Sequence, residues 1–233
     1  MNKIKKNLKV VILAGGYGTR LSEYTKKIPK PMVQINRKPL LVHIINHYKK
    51  FGFKEFIIAA GYKKEVIKNY FKNKNVKVIN TGLKTMTGGR IKRLQSHLKD
   101  QTFLLTYGDG LSDVNINNLL NFHKKSKNLV TLTAVRPPAR FGAIKLKEGK
   151  ANYFKEKSSL DEGWINGGFF IFEPAIFKYI KGDSTYLERE PLQTLSKKKL
   201  LGGYKHNGFW QCVDTERDKI ILEKSIKQKK YKF

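Results

Sequence analysis

The sequence predicts an α/β fold: a Rossmann-like, mostly parallel sheet with helices on both faces, joined to a smaller α+β portion. Three observations carry this. Short apolar runs of strand character, Lys9 to Leu13, Glu55 to Ala60 and Thr102 to Thr106, each stop at a glycine or shortly before one. Segments of helical period lie between the runs. After Pro137-Pro138 the regular alternation gives way to closely spaced β-type runs.

Each element has its own reason. Lys9 to Leu13 is apolar and ends at Gly15-Gly16. Pro39 to Phe51 places Leu40, Leu41, Ile44, Ile45 and Tyr48 on one helical face, and Gly52 stands where a helix ends. Strand Glu55 to Ala60 is followed by a helix over Lys64 to Phe71. Asn75 to Ile79 reads as a strand and Arg90 to Leu98 as a helix. Thr102 to Thr106 stops before Gly108-Asp109-Gly110. Asn115 to Ser126 is helical and Val130 to Ala134 a strand. Beyond the proline pair, Gly142 to Leu146 and Ala151 to Lys155 form a β pair around Glu148-Gly149, and Gly167 to Phe172 is strongly β. Pro174 to Tyr179 and Glu188 to Leu195 are helical. Leu201 to His206 and Phe209 to Val213 are strands, and Asp214 stands where it can cap a last helix. The expected organisation is one domain over residues 1–233. A nucleotide-binding half covers about 1–135, and the half completing the cleft covers about 136–233.

A chain of 233 residues with 40% hydrophobic residues, 14 Phe and 11 Tyr can build a core. No apolar run approaches the ~20 residues of a membrane span. The basic start, Met1 to Asn7, precedes an apolar stretch, Val10 to Ala14, too short for a signal sequence. One cysteine makes no internal disulfide, and no Cys/His metal spacing occurs, so a cytoplasmic protein is expected. The 48 Lys and Arg against 18 Asp and Glu give +30, a field that draws polyanions inward. The lysines are scattered in pairs and triplets such as Lys26-Lys27 and Lys197-Lys198-Lys199. No aromatic-interleaved basic stripe or nucleic-acid motif accompanies them, so no specific nucleic-acid partner is expected.

Three strings carry chemistry. Leu13 to Leu21 contains Gly15, Gly16 and Gly18 directly after the first strand, where backbone N–H groups can approach phosphate oxygens. It is neither a dinucleotide fingerprint nor a P-loop, and glycines alone also make plain turns. Thr19-Arg20 adds a guanidinium fork suited to phosphate. In Ile28 to Met32, Pro29 and Pro31 flank Lys30 and are expected to hold it extended, as a positioned point charge. Asp109 and Asp214 both follow strands, where open α/β sheets bind ligands, and two such carboxylates suit a Mg²⁺–triphosphate site. Each also has an ordinary explanation, Asp109 as a turn aspartate and Asp214 as a helix N-cap. His43, His47 and His123 fall in helices and read as structural or surface groups. Cys212 shares strand parity with Asp214 and reads as a buried strand cysteine.

Taken together, Leu13 to Leu21, Ile28 to Met32 and Arg37-Lys38-Pro39 resemble the sugar-1-phosphate nucleotidylyltransferases. Within that family, the glucose-1-phosphate cytidylyltransferases are most similar. The supporting stretches are Gly61-Tyr62-Lys63, Met86 to Arg90, Thr106 to Gly110, Arg140 to Ala143, Ile165 to Phe170, Glu190-Pro191-Leu192 and Gly208 to Thr215. The resemblance runs from about Lys9 to Glu223 and implies the nucleotide-diphospho-sugar transferase fold. By this resemblance the substrates would be CTP, or UTP or dTTP in its place, and a sugar 1-phosphate. A non-catalytic polyanion-binding relative is the alternative outside the class. Leu13, Ala14, Gly15 and Gly16 would hold base and ribose, and Gly18, Thr19 and Arg20 the triphosphate. Lys30 would contact the reacting phosphates, and Thr85, Gly88 and Arg90 would lie by the base. Asp109 and Asp214 would bind Mg²⁺. Gly142, Glu156, Lys157 and Asn166 would hold the sugar phosphate, with Lys157 on its phosphate. Two departures stand out. Glu156-Lys157 is followed by Ser158 where the family has proline, and the segment from Phe71 to Thr81 is shorter than in typical cytidylyltransferases, which leaves the oligomeric state open, a homo-oligomer included.

Overall fold

A computed structural model describes residues 7–137, 143–155 and 163–228. The strands are β1 Lys9–Ala14, β2 Gln34–Ile35, β3 Lys38–Pro39, β4 Glu55–Ala60, β5 Lys77–Asn80, β6 Phe103–Tyr107 and β7 Gly110–Ser112. They continue with β8 Val130–Val135, β9 Ala143–Lys147, β10 Lys150–Lys155, β11 Ile165–Asn166, β12 Phe170–Phe172, β13 Leu201–His206 and β14 Trp210–Cys212. The helices are α1 Ser22–Thr25, α2 Leu40–Lys50, α3 Lys64–Phe71, α4 Thr87–Arg93, α5 Gln95–Leu98, α6 Ile116–Ser126, α7 Glu190–Lys197 and α8 Glu216–Lys227.

The central sheet has eight strands, with β1 between β4 and β6, all parallel, and β5 parallel outside β4. On the other side β12 runs antiparallel between β6 and β8, and β13 pairs parallel with the outer edge of β8. The sheet is therefore mostly parallel, with an antiparallel insertion at its middle. β11 and β12 are two pieces of one line along β8, broken at Gly167 to Phe169. There Gly168 and Phe169 both have positive φ, 75° and 48°. The run read as one strand from Gly167 to Phe172 is thus displaced, because this left-handed step takes the backbone out of the ladder before β12.

Alternation along the strands sorts the side chains between two cores. Val10, Ile12 and Ala14 of β1 and Phe56, Ile58 and Ala60 of β4 pack with α2, α3, α6 and α8 through Leu40, Ile44, Ile67, Leu119 and Leu222. Val11, Leu13, Ile57 and Ala59 face the opposite way, onto Ile91, Leu98 and Leu195 of α4, α5 and α7. Period-2 strands buried on both faces are what a parallel sheet between helix layers requires.

Several elements differ from the sequence reading. The helix read over Arg90 to Leu98 is two short helices that meet at buried Leu94, where the Leu94 N–H bonds the Ile91 carbonyl in a tightened turn. Pro174 to Tyr179 is a 3₁₀ segment. The Phe209 to Val213 strand stays out of the main sheet: β14 pairs antiparallel with β7. Asp214 does not cap the last helix. Thr215 does, its hydroxyl accepting from the Asp218 N–H at 3.2 Å while Asp218 accepts from the Thr215 N–H at 2.9 Å. This reciprocal box satisfies two orphan donors and leaves the Asp214 carboxylate free to face elsewhere.

The box sets where α8 begins, directly beside Asp214. Thr215→Ala is expected to cost about 1 kcal/mol and to lower the thermal midpoint by about 2–4 °C; a melting curve of the variant against the parent checks this.

Candidate active site

The C-terminal ends of β1 and β6 lie side by side, tied by the Gly108 N–H to the Leu13 carbonyl at 2.9 Å. Beyond them opens a cavity of about 330 Å³ walled by the loop after β1, by Lys30 and Pro31, by Thr85 to Thr87 with Arg90, by Tyr107 to Asp109, and by Tyr186 and Asp214. This is the crevice beyond the strand ends where open α/β sheets bind ligands.

The centre of the site is a three-segment cluster. The β7–β14 ribbon sits just outside the β6 end, and the Val213 N–H donates to the Asp109 carbonyl at 2.8 Å, which sets Asp214 beside Asp109. The Lys30 ammonium then donates to Asp109 Oδ2 at 2.7 Å and Asp214 Oδ1 at 2.6 Å. Arg20 reaches in from the exposed loop to Asp214 Oδ2 at 2.7 Å. The Lys30 side chain is only 12% exposed and that of Asp214 16%, so both charges need these partners. Burial works against the Lys30 charge, but the charge of Asp109 and the bonds to both carboxylates outweigh it and raise its pKa. Burial likewise works against the Asp214 anion, and Lys30 and then Arg20 outweigh it, holding its pKa below the usual carboxylate range.

Lys30 is not held extended as the sequence suggested. Pro29 is extended, but Lys30 opens a 3₁₀ turn through Met32, with Pro31 in its first turn, where its missing N–H costs nothing. The loop after β1 closes onto this turn at Gly18. Its φ is 65°, and a Cβ there would lie 2.8 Å from that of Lys30. Gly18 is glycine for both reasons.

The opposite wall is built on Arg90. Only 4% exposed, its guanidinium donates to the Thr81 hydroxyl at 2.8 Å and to the carbonyls of Gly82 at 2.7 Å and Gly15 at 2.9 Å. A Cβ on Gly15 would fall 2.0 Å from that guanidinium, so Gly15 is required by close approach. Burial and the neighbouring Arg93 lower the Arg90 pKa.

The structure thus gathers Leu13, Ala14, Gly15, Gly16, Gly18, Thr19, Arg20, Lys30, Thr85, Arg90, Asp109 and Asp214 around one cavity. Gly88 turns away from it and packs against the backbone of Thr185, where a Cβ would meet the carbonyl at 2.8 Å. Asn166 reaches the cavity wall through the Tyr107 hydroxyl, at 3.2 Å. Gly142, Glu156 and Lys157 lie outside the described residues. Tyr107, Thr87, Tyr186 and Glu188 were missed by sequence reasoning. Tyr107 ends β6 and Thr87 opens α4, both inside stretches that carry the resemblance but were given no role; Tyr186 stands ahead of α7, and Glu188 touches the wall only through Tyr107 and Thr87.

The three histidines of α2 and α6 are structural. His43 bonds the Ile35 carbonyl, and His123 the Thr131 hydroxyl and Glu173. His47 bonds the Val114 carbonyl, and its burial pushes its pKa down to about 4. Cys212 is half-buried, and its thiol lies 3.7 Å from Asp214 Oδ2. Burial, then the Asp214 and Asp109 charges, push it up to about 12, so it stays a protonated donor. Among the described residues no three His, Cys, Asp or Glu gather as a metal site. The two aspartates that share one ammonium are the donor set that could receive a divalent cation.

Sheet, crevice and charge cluster define a class. The family model for nucleotidyl transferases matches residues 9–211, and the chain belongs to that family. Glucose-1-phosphate cytidylyltransferase of Salmonella typhimurium is 45% identical over 243 residues, covering 93% of this chain and 95% of its own. A probable glucose-1-phosphate cytidylyltransferase of Bacillus subtilis is 38% identical, covering 95% and 97%. The Salmonella match is longer than this whole chain, so that relative carries extra residues within it. A crystal structure of UDP-glucose pyrophosphorylase complexed with UDP-glucose shares the fold, with a TM-score of 0.74 at 20% identity over 95% of this chain and 99% of that one. Among the described residues no helix is long and apolar enough to cross a membrane.

The pH dependence of stability follows from the cluster. The Asp214 contribution is present above the unfolded carboxylate value of about 4 and is lost as pH falls through its depressed folded pKa. The Lys30 contribution is present below about 10.4 and is lost as pH rises through its raised folded pKa. Lys30→Met leaves two carboxylates facing each other and should destabilise by about 1–3 kcal/mol at pH 7. Denaturant melts at pH 7 and at about pH 2 should show that deficit shrinking in acid, where the Asp214 contribution of the parent is lost.

Proposed function

We propose that the chain transfers a cytidylyl group from CTP to glucose 1-phosphate, giving CDP-glucose and pyrophosphate. The observation that carries this reading is the gathering of Arg20, Lys30, Asp109 and Asp214 at one sheet edge beside a glycine loop. The names of the Salmonella and Bacillus relatives support the choice of nucleotide and sugar. In this reading residues 1–233 form one nucleotidyltransferase domain, with the nucleotide held by the half up to about 135 and the sugar phosphate by the remainder.

The reaction is an in-line displacement. A phosphate oxygen of glucose 1-phosphate attacks the α-phosphorus of CTP, and the bond to the β-phosphate oxygen breaks. The nucleophile has its second pKa near ~6 and is already ionised at neutral pH, so no general base is needed. This agrees with a cavity that no histidine lines among the described residues. The task is to bring two polyanions together and to neutralise the charge that grows on pyrophosphate.

Leu13 to Gly16 form a floor against which base and ribose can lie, with Thr85 and Arg90 at the base end and Gly88 supporting that wall. Gly18, Thr19 and Arg20 face the triphosphate. Asp109 and Asp214 fit Mg²⁺, since they already converge on one cation; phosphate oxygens and water would complete the shell. When bound, the ion supplies charge neutralisation on the triphosphate. Lys30 and Arg20, which bond these carboxylates, would then have phosphate oxygens as partners. Asn166 faces the sugar side, and Gly142, Glu156 and Lys157 complete that subsite as the resemblance implies. The +30 charge steers both substrates inward.

A pyrophosphate-release assay across four nucleoside triphosphates and several sugar 1-phosphates tests the reading, and CTP with glucose 1-phosphate should be turned over fastest. Preference for UTP, dTTP or another sugar would move the assignment within the family. Silence with every pair, together with salt-resistant polyanion binding, would favour a non-catalytic binder. Lys30→Ala should lower kcat by about two to three orders of magnitude, whereas Lys26→Ala and Lys27→Ala should behave like the parent. Equal losses at all three lysines would mean that diffuse charge, not a positioned group, drives turnover.

A further inference from the structure

Glu188 stands just before α7, near the wall of the cavity that Thr87 and Tyr107 line. None of the roles assigned above uses it. Its carboxylate accepts from two hydroxyls, Tyr107 Oη on Oε1 and Thr87 Oγ1 on Oε2, each at 2.7 Å. Tyr107 Oη in turn accepts from Asn166 Nδ2 at 3.2 Å, and Asn166 Oδ1 accepts from the Gly168 N–H at 2.9 Å. At the other end, the Thr87 hydroxyl accepts from the Leu187 N–H at 2.9 Å. The bonds run unbroken from the first residue of α4, next to Thr85 and Met86, to the sheet break after β11.

Chemistry fixes the direction of every bond in this chain. A carboxylate only accepts and a carboxamide NH₂ only donates, so the Tyr107 proton is committed to Glu188 and its lone pairs are turned to Asn166. Asn166 is held at both ends of its amide, which removes the flip that such a group otherwise retains. Burial and then the Glu188 charge also hold the Tyr107 hydroxyl firmly protonated, so it remains a donor across the working pH range. A satisfied polar network of this kind rigidifies the groups it contains.

We infer that Glu188 is a positioning residue for the sugar-phosphate subsite: through Tyr107 it fixes the orientation of Asn166, and through Thr87 it ties that subsite to the wall beside the nucleotide base. The inference rests on the proposed reaction, in which Asn166 faces the sugar. It assigns Glu188 no contact with either substrate. Its removal should therefore disturb capture of one substrate far more than the other, since the Lys30 cluster and the glycine loop are left intact.

The test is steady-state kinetics with each substrate varied, alongside melting curves, for Glu188→Ala, Tyr107→Phe, the double variant and Glu188→Gln. Glu188→Ala and Tyr107→Phe should each raise KM for glucose 1-phosphate by about tenfold while KM for CTP stays within about twofold. The double variant should be no worse than Glu188→Ala, because the two act as one unit. Glu188→Gln should stay within about threefold of the parent, since its carbonyl can accept from Tyr107 while its NH₂ donates to Thr87. If Glu188→Ala fails to fold, the nearly isosteric Tyr107→Phe decides alone. Both KM values rising together, or neither rising in an active enzyme, would overturn the inference. A parent protein without turnover would instead overturn the proposed reaction, so the two failures are distinguishable.

Discussion

One ammonium group organises this molecule. Lys30 is bonded to Asp109 and Asp214, residues from three distant parts of the chain, and each segment has structure whose effect is to bring it there. The β7–β14 ribbon turns the chain after β13 back across the end of β6. The capping box at Thr215 starts α8 without using the Asp214 carboxylate. Gly18 lets the loop after β1 close on Lys30 where any side chain would collide. A nearly buried cation with two carboxylates is expensive to assemble and more expensive to break, and so it fixes the geometry around it.

The same cluster balances its own concentrated charge. The carboxylates that suit a divalent cation are neutralised by the lysine and arginine that suit phosphate. In the proposed reaction a metal–nucleotide complex would exchange these partners, oxygen ligands for the metal and cations for the phosphates. Across the cavity, Arg90 works differently. Its fork is spent on two carbonyls and a hydroxyl, so it shapes the glycine floor and leaves a firm wall. Chemistry that needs only positioning and charge neutralisation is well served by such rigid elements.

Much of this was legible in the sequence, for identifiable reasons. The strands of the central sheet are buried on both faces, so they appear as apolar runs such as Val10 to Ala14, and the glycines after them mark the crevice edge. Asp109 and Asp214 stood out because strand ends are where such sheets bind ligands. Their convergence was expected from a shared site, but the route to it was not legible, since it depends on β14 leaving the main sheet to pair with β7, a contact between residues about a hundred positions apart. The local misreadings have local causes. Proline beside Lys30 suggested extension, but it also fits the first turn of a 3₁₀ segment. Asp214 and Thr215 are both good N-caps, and only the Asp218 box decides between them. The left-handed step at Phe169 has no sequence signal, because an aromatic residue is a poor fit to that conformation. Glu188 carries no motif at all; its two partners, Thr87 and Tyr107, lie in two other segments and appear only once the chain is folded.

The central claim is that Asp109 and Asp214 form a single acceptor for a metal–nucleotide complex, with Lys30 and Arg20 as the cations that change partners. Calorimetric titration of the protein with CTP, in the presence and absence of Mg²⁺, measures this without relying on turnover. The account predicts tight binding only when both are present, and loss of the Mg²⁺ dependence in the Asp109→Asn/Asp214→Asn double variant. Equal CTP affinity with and without Mg²⁺ in the parent protein, or an undiminished Mg²⁺ effect in the double variant, would contradict it.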